Sequence, residues 1–271
     1  VRGREHRSRP RTAGLRYRPV MTADRPSAPS AAPPAPELVD AWLHLLATAR
    51  RTVTDGLVVG TSGNLSVRVG DLVLITPTGV PYDRLGAADL LAVRPDGTRV
   101  HGTLAPTSEL PLHLAVHRAT PATAVVHTHA LHATALSLLH DEVPAAHYVG
   151  GLLGGPVRVA PYALYGSREL AERTVDALRD RTGCLLRNHG AVTYGTGAPA
   201  AALDQAFDRT AQLEWLCRLW LTAAAVPGAR PTLLTDAQLA EATERLAGYG
   251  RQDPRSPRDP QDPQDSPVTG D

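Results

Sequence analysis

The apolar run Ala124-Val125-Val126 ends in His127-Thr128-His129. A run of this kind reads as a short strand. Side chains repeat every two residues along a strand, so both imidazoles project from one face while Thr128 points away. Two rings on one face can reach one metal ion. A third histidine, His189, sits in a second strand-like run, LLRNHGAV, and a Thr107-Ser108-Glu109 triplet precedes the pair. Three imidazole nitrogens and one carboxylate suit a zinc ion that keeps a position open for substrate. His-x-His alone is equally a pair of strand histidines satisfied by hydrogen bonds. The second cluster and Glu109 turn the reading toward a metalloenzyme.

The rest of the chain supplies strands and helices in alternation. Residues 36–54 carry apolar residues at helical spacing. SVRV and DLVLIT flank Gly70 as a hairpin, and DLLAVRPDGTRV forms another around Asp96-Gly97. Residues 107–119 read as a helix with Thr107 at its N-cap and Pro111 in the first turn. LHATALSLL is a helix, VRVAPY a strand, and SRELAERTVDALRD an amphipathic helix capped by Ser167. CLLRNHGAVTYG reads as two strands meeting at Asn188-His189-Gly190. Residues 198–225 form a long helix, and DAQLAEATERLAGYG a last one ending at Gly248 or Gly250. The expected fold is α/β, a single domain with a mixed, largely antiparallel central sheet covered by helices.

Both ends are poor in core-forming residues. TADRPSAPSAAPPAP and DPRSPRDPQDPQDSP predict a disordered extension over 1–35 and a disordered Pro/Asp-rich tail over 251–271. The domain between them is expected over 36–250. Met21 is the only methionine, which leaves Val1 and Met21 as candidate start residues.

Composition excludes several functions. A net charge of +1 over 271 residues gives no field for nucleic acid or membrane binding. No run of 18 apolar residues predicts a span, and the Arg-rich N-terminus lacks the apolar stretch of a secretory signal. Cys184 and Cys217 show no ligand spacing and read as buried thiols in a reducing cytoplasm. All 28 basic residues are arginine. Without lysine there is no lysine Schiff base, so carbon–carbon cleavage beside a carbonyl would need a metal as electron sink.

Three turn-rich segments offer anion donors. GTSGNLS, residues 60–66, is neither a Walker loop nor a dinucleotide-binding turn, yet its backbone N–H groups and hydroxyls can cradle a phosphate. Thr76-Pro77-Thr78-Gly79 is a second such loop. Thr107 and Ser108 add hydroxyls at a helix N-terminus. Each alone is an ordinary turn; together beside a metal site they point to a small phosphorylated substrate. His113 and His117 also have metal spacing on a helix, but the other four residues already fill a site.

GLVVGTSGNLSVR, LITPTGVPYDRL, TSE, VVHTHALHATALS, VPAAHY, APYALYGSREL and LLRNHGAV occur in the order found in the class II aldolase/adducin family. The chain resembles that family over residues 40–250. The resemblance implies zinc on His127, His129 and His189, with Glu109 as fourth ligand at rest and as the acid/base group. It implies a substrate phosphate on Gly63, Asn64, Thr78, Gly79, Thr107 and Ser108. Thr107 replaces a serine common in the family and keeps its hydroxyl. Tyr148 matches a proton-transferring tyrosine that acts across a subunit boundary, so a homotetramer with interfacial sites is implied. Tyr249 resembles a C-terminal tyrosine on a tail that closes over the site.

The implied reaction is reversible cleavage of a ketose 1-phosphate to dihydroxyacetone phosphate and a small aldehyde. Relatives with other chemistry dehydrate methylthioribulose 1-phosphate or epimerise pentulose 5-phosphates at C4. The epimerases tend to carry Asp where this chain has Glu109. A non-catalytic adducin-like module is the remaining alternative, and such proteins tend to lose the metal ligands.

Overall fold

The computed structural model describes residues 33–246. Tyr249, the predicted helix end at Gly248 or Gly250, and the tail expected over 251–271 lie outside the described residues, as does nearly all of the segment 1–35.

Eight strands form one sheet: β1 (Asn64–Val69), β2 (Leu72–Ile75), β3 (Ala92–Val93), β4 (Arg99–His101), β5 (Ala124–Thr128), β6 (Val159–Ala160), β7 (Gly183–Leu186) and β8 (Gly190–Gly195). Their order is β4-β3-β2-β1-β5-β8-β7-β6. Every pair is antiparallel except β6–β7. The mixed, largely antiparallel sheet expected from the hairpin pattern is therefore present.

Five helices cover it, α1 (Pro36–Thr54), α2 (Leu110–Ala119), α3 (Leu131–Leu139), α4 (Arg168–Ala177) and α5 (Pro199–Ala224), while α6 (Asp236–Leu246) packs on the 3₁₀ turn Tyr148–Leu153. The two-residue period of β5 sorts α1, α2, α4 and α5. Ala124 and Val126 pack with Trp42, Leu45 and Leu46 of α1 and with Leu203 and Ala206 of α5. Val125, between them, packs with Leu112 and Val116 of α2 and with Leu170 and Ala171 of α4. His127 follows the parity of Val125, so it belongs to the α2 side of the sheet.

Two predicted boundaries shift. The helix expected from residue 107 begins at Leu110, with Glu109 at the N-cap position. Thr107 instead accepts a hydrogen bond from the Glu109 amide through its hydroxyl at 3.3 Å, curling the chain into a turn before the helix. The strand expected over VRVAPY is confined to Val159–Ala160. Pro161 has no N–H to continue the ladder. Ser167 does cap α4, accepting from the Leu170 amide at 3.0 Å. Among the described residues, no helix is long and apolar enough to cross a membrane.

Candidate metal centre

His127 is the fourth residue of β5, placed by the ladder directly opposite Asn64 of β1 and Val192 of β8. It is fully buried. Its Nδ1–H donates to the Ala191 carbonyl at 3.0 Å, which fixes the ring and turns the Nε2 lone pair away from that strand. His129 stands just beyond the strand end. The chain then enters α3, whose first N–H groups are capped from α5: the Glu214 carboxylate accepts from the His132 amide at 2.9 Å and the Ala133 amide at 2.8 Å. Two of the donors a helix start leaves unpaired are satisfied in this way.

His189 lies in the turn between β7 and β8. Asn188 before it takes a left-handed φ of 57°, a conformation asparagine tolerates better than most residues. That bend aims His189 back at β5. The three imidazole centroids then stand 4.8 to 4.9 Å apart in each pairing.

Glu109 completes the set from the start of α2. Its Oε2 is 2.9 Å from His127 Nε2 and accepts from Asn64 Nδ2 at 3.0 Å. Its Oε1 is buried without a hydrogen-bond partner and lies 3.5 Å from His189 Nε2. One ligand atom from each of Glu109, His127, His129 and His189 lies within 4.8 Å of all the others.

This arrangement fits a divalent cation. With Nδ1–H committed to Ala191, a neutral His127 points a lone pair at the carboxylate and at His129 Nε2, 3.0 Å away. One proton can relieve only one such contact; a cation held by all four side chains would relieve every one. Tetrahedral ligands about 2.0–2.1 Å from zinc sit about 3.3 Å from one another, comparable with the separations here. Three neutral nitrogens and one carboxylate are also a zinc donor set.

Without a metal, the electrostatics put positive charge on His127 beside Glu109, where a bound cation would stand instead. Burial alone would push the Glu109 carboxyl up, but the charge and hydrogen bond of His127 and the Asn64 amide outweigh it and hold it well below the usual carboxylate range. Burial likewise opposes charge on His127, and Glu109 overrides it, raising the imidazole. His129 is driven down to about 3 and His189 to about 4, first by burial and then by the charge of His127. Both rings are held neutral at pH 7, the form a metal ligand needs.

The cluster floors a cavity of about 320 Å³. Its walls include Gly63, Asn64, Thr78, Gly79, Thr107 and Ser108, the six residues expected around a phosphate, together with Thr61 and Ser62. Gly63 is required there: a Cβ would lie 2.5 Å from Val58 Cγ2 and 3.0 Å from the His127 carbonyl oxygen. Tyr82, from the PYDRL segment, anchors the same loop by donating its hydroxyl to the Gly63 carbonyl at 2.5 Å. Asn64 spends both ends of its side-chain amide inside the protein, on Glu109 and on His113.

Tyr162, Tyr165 and Asn188 also line the cavity; they lie in the motifs APYALYGSREL and LLRNHGAV, where only His189 has an expected site role. The two tyrosines stand in the irregular segment after β6, where no period marks a face. Tyr148 is not among the lining residues. It begins a short 3₁₀ turn, is 45% exposed, and stacks with its ring 4.2 Å from that of His147, which in turn meets Trp215. His113 and His117 hold no share in the ligand set; both hydrogen-bond Ser66.

The family described as "Class II Aldolase and Adducin N-terminal domain" matches residues 43–221. The L-fuculose phosphate aldolase of Escherichia coli K12 is 40% identical over 197 residues, 72% of this chain and 88% of that protein. The 5-methylthioribulose-1-phosphate/5-deoxyribulose-1-phosphate aldolase of Rhodospirillum rubrum is 34% identical, over 76% of this chain and 90% of that one. A solved L-fuculose-1-phosphate aldolase from Thermus thermophilus superposes with a TM-score of 0.63 at 31% identity, over 70% of this chain and 98% of that one. Sequence, fold and the convergence of the four ligands agree: the chain belongs to the class II aldolase and adducin family.

Proposed function

We propose that the chain is a zinc-dependent aldolase that reversibly cleaves a ketose 1-phosphate to dihydroxyacetone phosphate and a small aldehyde. The substrate proposed is L-fuculose 1-phosphate or a 5-deoxy-pentulose 1-phosphate. One observation carries the reading. Glu109 presents an unpartnered carboxylate oxygen beside three imidazoles, at the floor of a cavity walled by glycines and hydroxyls. Relatives named for L-fuculose phosphate and for 5-deoxyribulose 1-phosphate support the substrate class.

Zinc on His127, His129, His189 and Glu109 would supply Lewis-acid stabilisation of the negative charge that develops on the ketone oxygen. The chain's own groups do the rest. Among the described residues no lining residue of the cavity is an arginine, so the phosphate is met there by neutral donors: the backbone and hydroxyls of Gly63, Thr78, Gly79, Thr107 and Ser108, with Asn64 closing the floor. Thr107 and Ser108 also stand just ahead of α2, whose N-terminus favours an anion.

Glu109 returns a proton to the substrate carbon in cleavage and removes it in synthesis. Tyr148 takes the proton of the C4 hydroxyl as the C3–C4 bond breaks. Its exposure outside its own chain's cavity supports delivery from a second copy, and hence a homotetramer with shared sites. Leu131, Leu139 and Trp215, all exposed, supply apolar surface for such contacts. A purely structural, adducin-like role would leave the complete ligand set without use.

The test is release of dihydroxyacetone phosphate from L-fuculose 1-phosphate, with and without chelator. Chelator-sensitive release is expected. No release from protein carrying one zinc per chain would overturn the aldolase and favour the dehydratase or epimerase chemistry of the same family.

A further inference from the structure

β1 and α2 meet through a match of periods. Asn64 and Ser66 are two apart on the strand; His113 and His117 are four apart on the helix. Two strand residues advance about 6.7 Å and four helix residues about 6 Å, so each polar strand residue meets an imidazole. His113 Nε2 is 2.6 Å from Asn64 Oδ1. Ser66 Oγ is 2.7 Å from His113 Nδ1 and 2.9 Å from His117 Nε2. All four side chains are buried.

The direction of the bonds from Glu109 through Asn64 to His113 follows from one end. A carboxylate only accepts. Asn64 therefore turns Nδ2 to Glu109 and Oδ1 to His113, and His113 Nε2 must carry a proton. In a neutral ring Nδ1 is then a lone pair, which accepts the Ser66 hydroxyl proton. Ser66 in turn accepts from His117 Nε2–H. Burial favours the neutral rings, pushing His113 down to about 3 and His117 to about 4. His117 Nδ1 lies 3.2 Å from the Ala122 carbonyl oxygen, an acceptor, and the direction of the Asn64–His113 bond does not depend on which His117 nitrogen carries the proton.

This chain makes the two oxygens of Glu109 inequivalent. If the Asn64 amide turned over, its oxygen would face a carboxylate oxygen and repel it. His113 prevents that rotation by donating to Oδ1. Oε2 stays occupied, and Oε1 is the oxygen left without a hydrogen bond.

We propose that His113 is a positioning residue for Glu109, which through Asn64 holds Oε2 and leaves Oε1 to exchange the substrate's carbon proton. The proposal rests on the aldolase reading: a C–H bond breaks, an O–H bond forms on Oε1, and the electron pair passes into the conjugated carbonyl.

Two measurements test it. The ¹⁵N imidazole spectrum of the full, metal-free chain at pH 7 should show His113 neutral with its proton on Nε2. An Nδ1–H tautomer or an imidazolium there would overturn the proposal without recourse to activity. The second is exchange of solvent deuterium into dihydroxyacetone phosphate, without aldehyde, by the zinc-loaded protein. His113→Phe should lower the exchange kcat about 10–100-fold, with zinc content unchanged and KM within about twofold. His113→Gln, whose amide nitrogen can donate to the same oxygen, should restore most of that loss. Wild-type exchange in folded His113→Phe, or His113→Gln as slow as His113→Phe, would sink the idea. If His113→Phe does not fold, the tautomer decides. Absence of exchange in the wild-type protein would overturn the aldolase reading and the role together, and the tautomer separates that failure from a failure of the His113–Asn64 contact.

Discussion

Gly190 begins β8 against the carbonyl oxygen of Thr128: a Cβ on residue 190 would lie 2.1 Å from that oxygen and 3.3 Å from the His129 Cα. The two strands close at this point, and the closure carries His189 to His127 and His129. Gly190→Ala should therefore force main chain apart rather than repack a side chain. The expected cost is about 1–3 kcal/mol of stability, with a loss of zinc affinity beyond what the stability change explains. Thermal unfolding and competition with a chelator would measure the two effects; unchanged zinc affinity would contradict the coupling.

His189→Ala removes a ligand outright. Its zinc affinity should fall by more than the about 10–100-fold typical of losing an outer partner. Zinc content after dialysis reads this directly, and retention of one zinc per chain would remove His189 from the ligand set.

Glu109→Gln keeps the size of the side chain but cannot exchange a carbon proton. Much of the zinc should remain on the three imidazoles while turnover drops about 10²–10⁴-fold. Near-normal turnover in this variant would end the acid/base assignment.

Tyr148 and Glu109 are proposed to meet only across a subunit boundary. Glu109→Gln and Tyr148→Phe proteins, each inactive alone, should recover activity when unfolded and refolded together. Random mixing would leave about one site in four with both residues intact. Recovery no greater than the sum of the separate proteins would place the two residues in the same chain's site.

The buried pair His113 and His117 makes the metal-free protein sensitive to acid. Both are depressed in the folded chain, to about 3 and about 4, chiefly by burial. Below the ordinary histidine value of about 6.5 the unfolded chain binds protons that the folded chain does not. Stability is thus fully present above about pH 6.5 and falls as the pH drops toward 4. Each imidazole contributes a loss of about 2 kcal/mol between pH 7 and pH 5. The urea midpoint of metal-free protein should fall over that interval, and the fall should shrink when His117 is replaced by Phe. A midpoint flat from pH 7 to 5 would show that the pair is solvated.

Local sequence carried much of the architecture. Helix α1 occupies the predicted 36–54 span because its apolar spacing and Pro36 mark it without outside help. His127 and His129 share a face because a strand alternates, whatever packs on it. The three glycine- and hydroxyl-rich loops were legible by composition, and the structure gathers them around one cavity.

What the sequence alone determined, then, is the set of faces: which residues lie together on a strand, a helix or a turn. Covalent geometry sets those periods within each segment. It does not set which face meets which, because that depends on register and on packing across distant segments. Only the tertiary structure paired Ser66 with His113 and His117, anchored Gly63 on Tyr82, brought Tyr162 and Tyr165 to the cavity, and left Tyr148 outside it. Each of these contacts joins residues whose separation in the chain carries no period, and the free energy that selects them is the burial of the sheet between its helix layers.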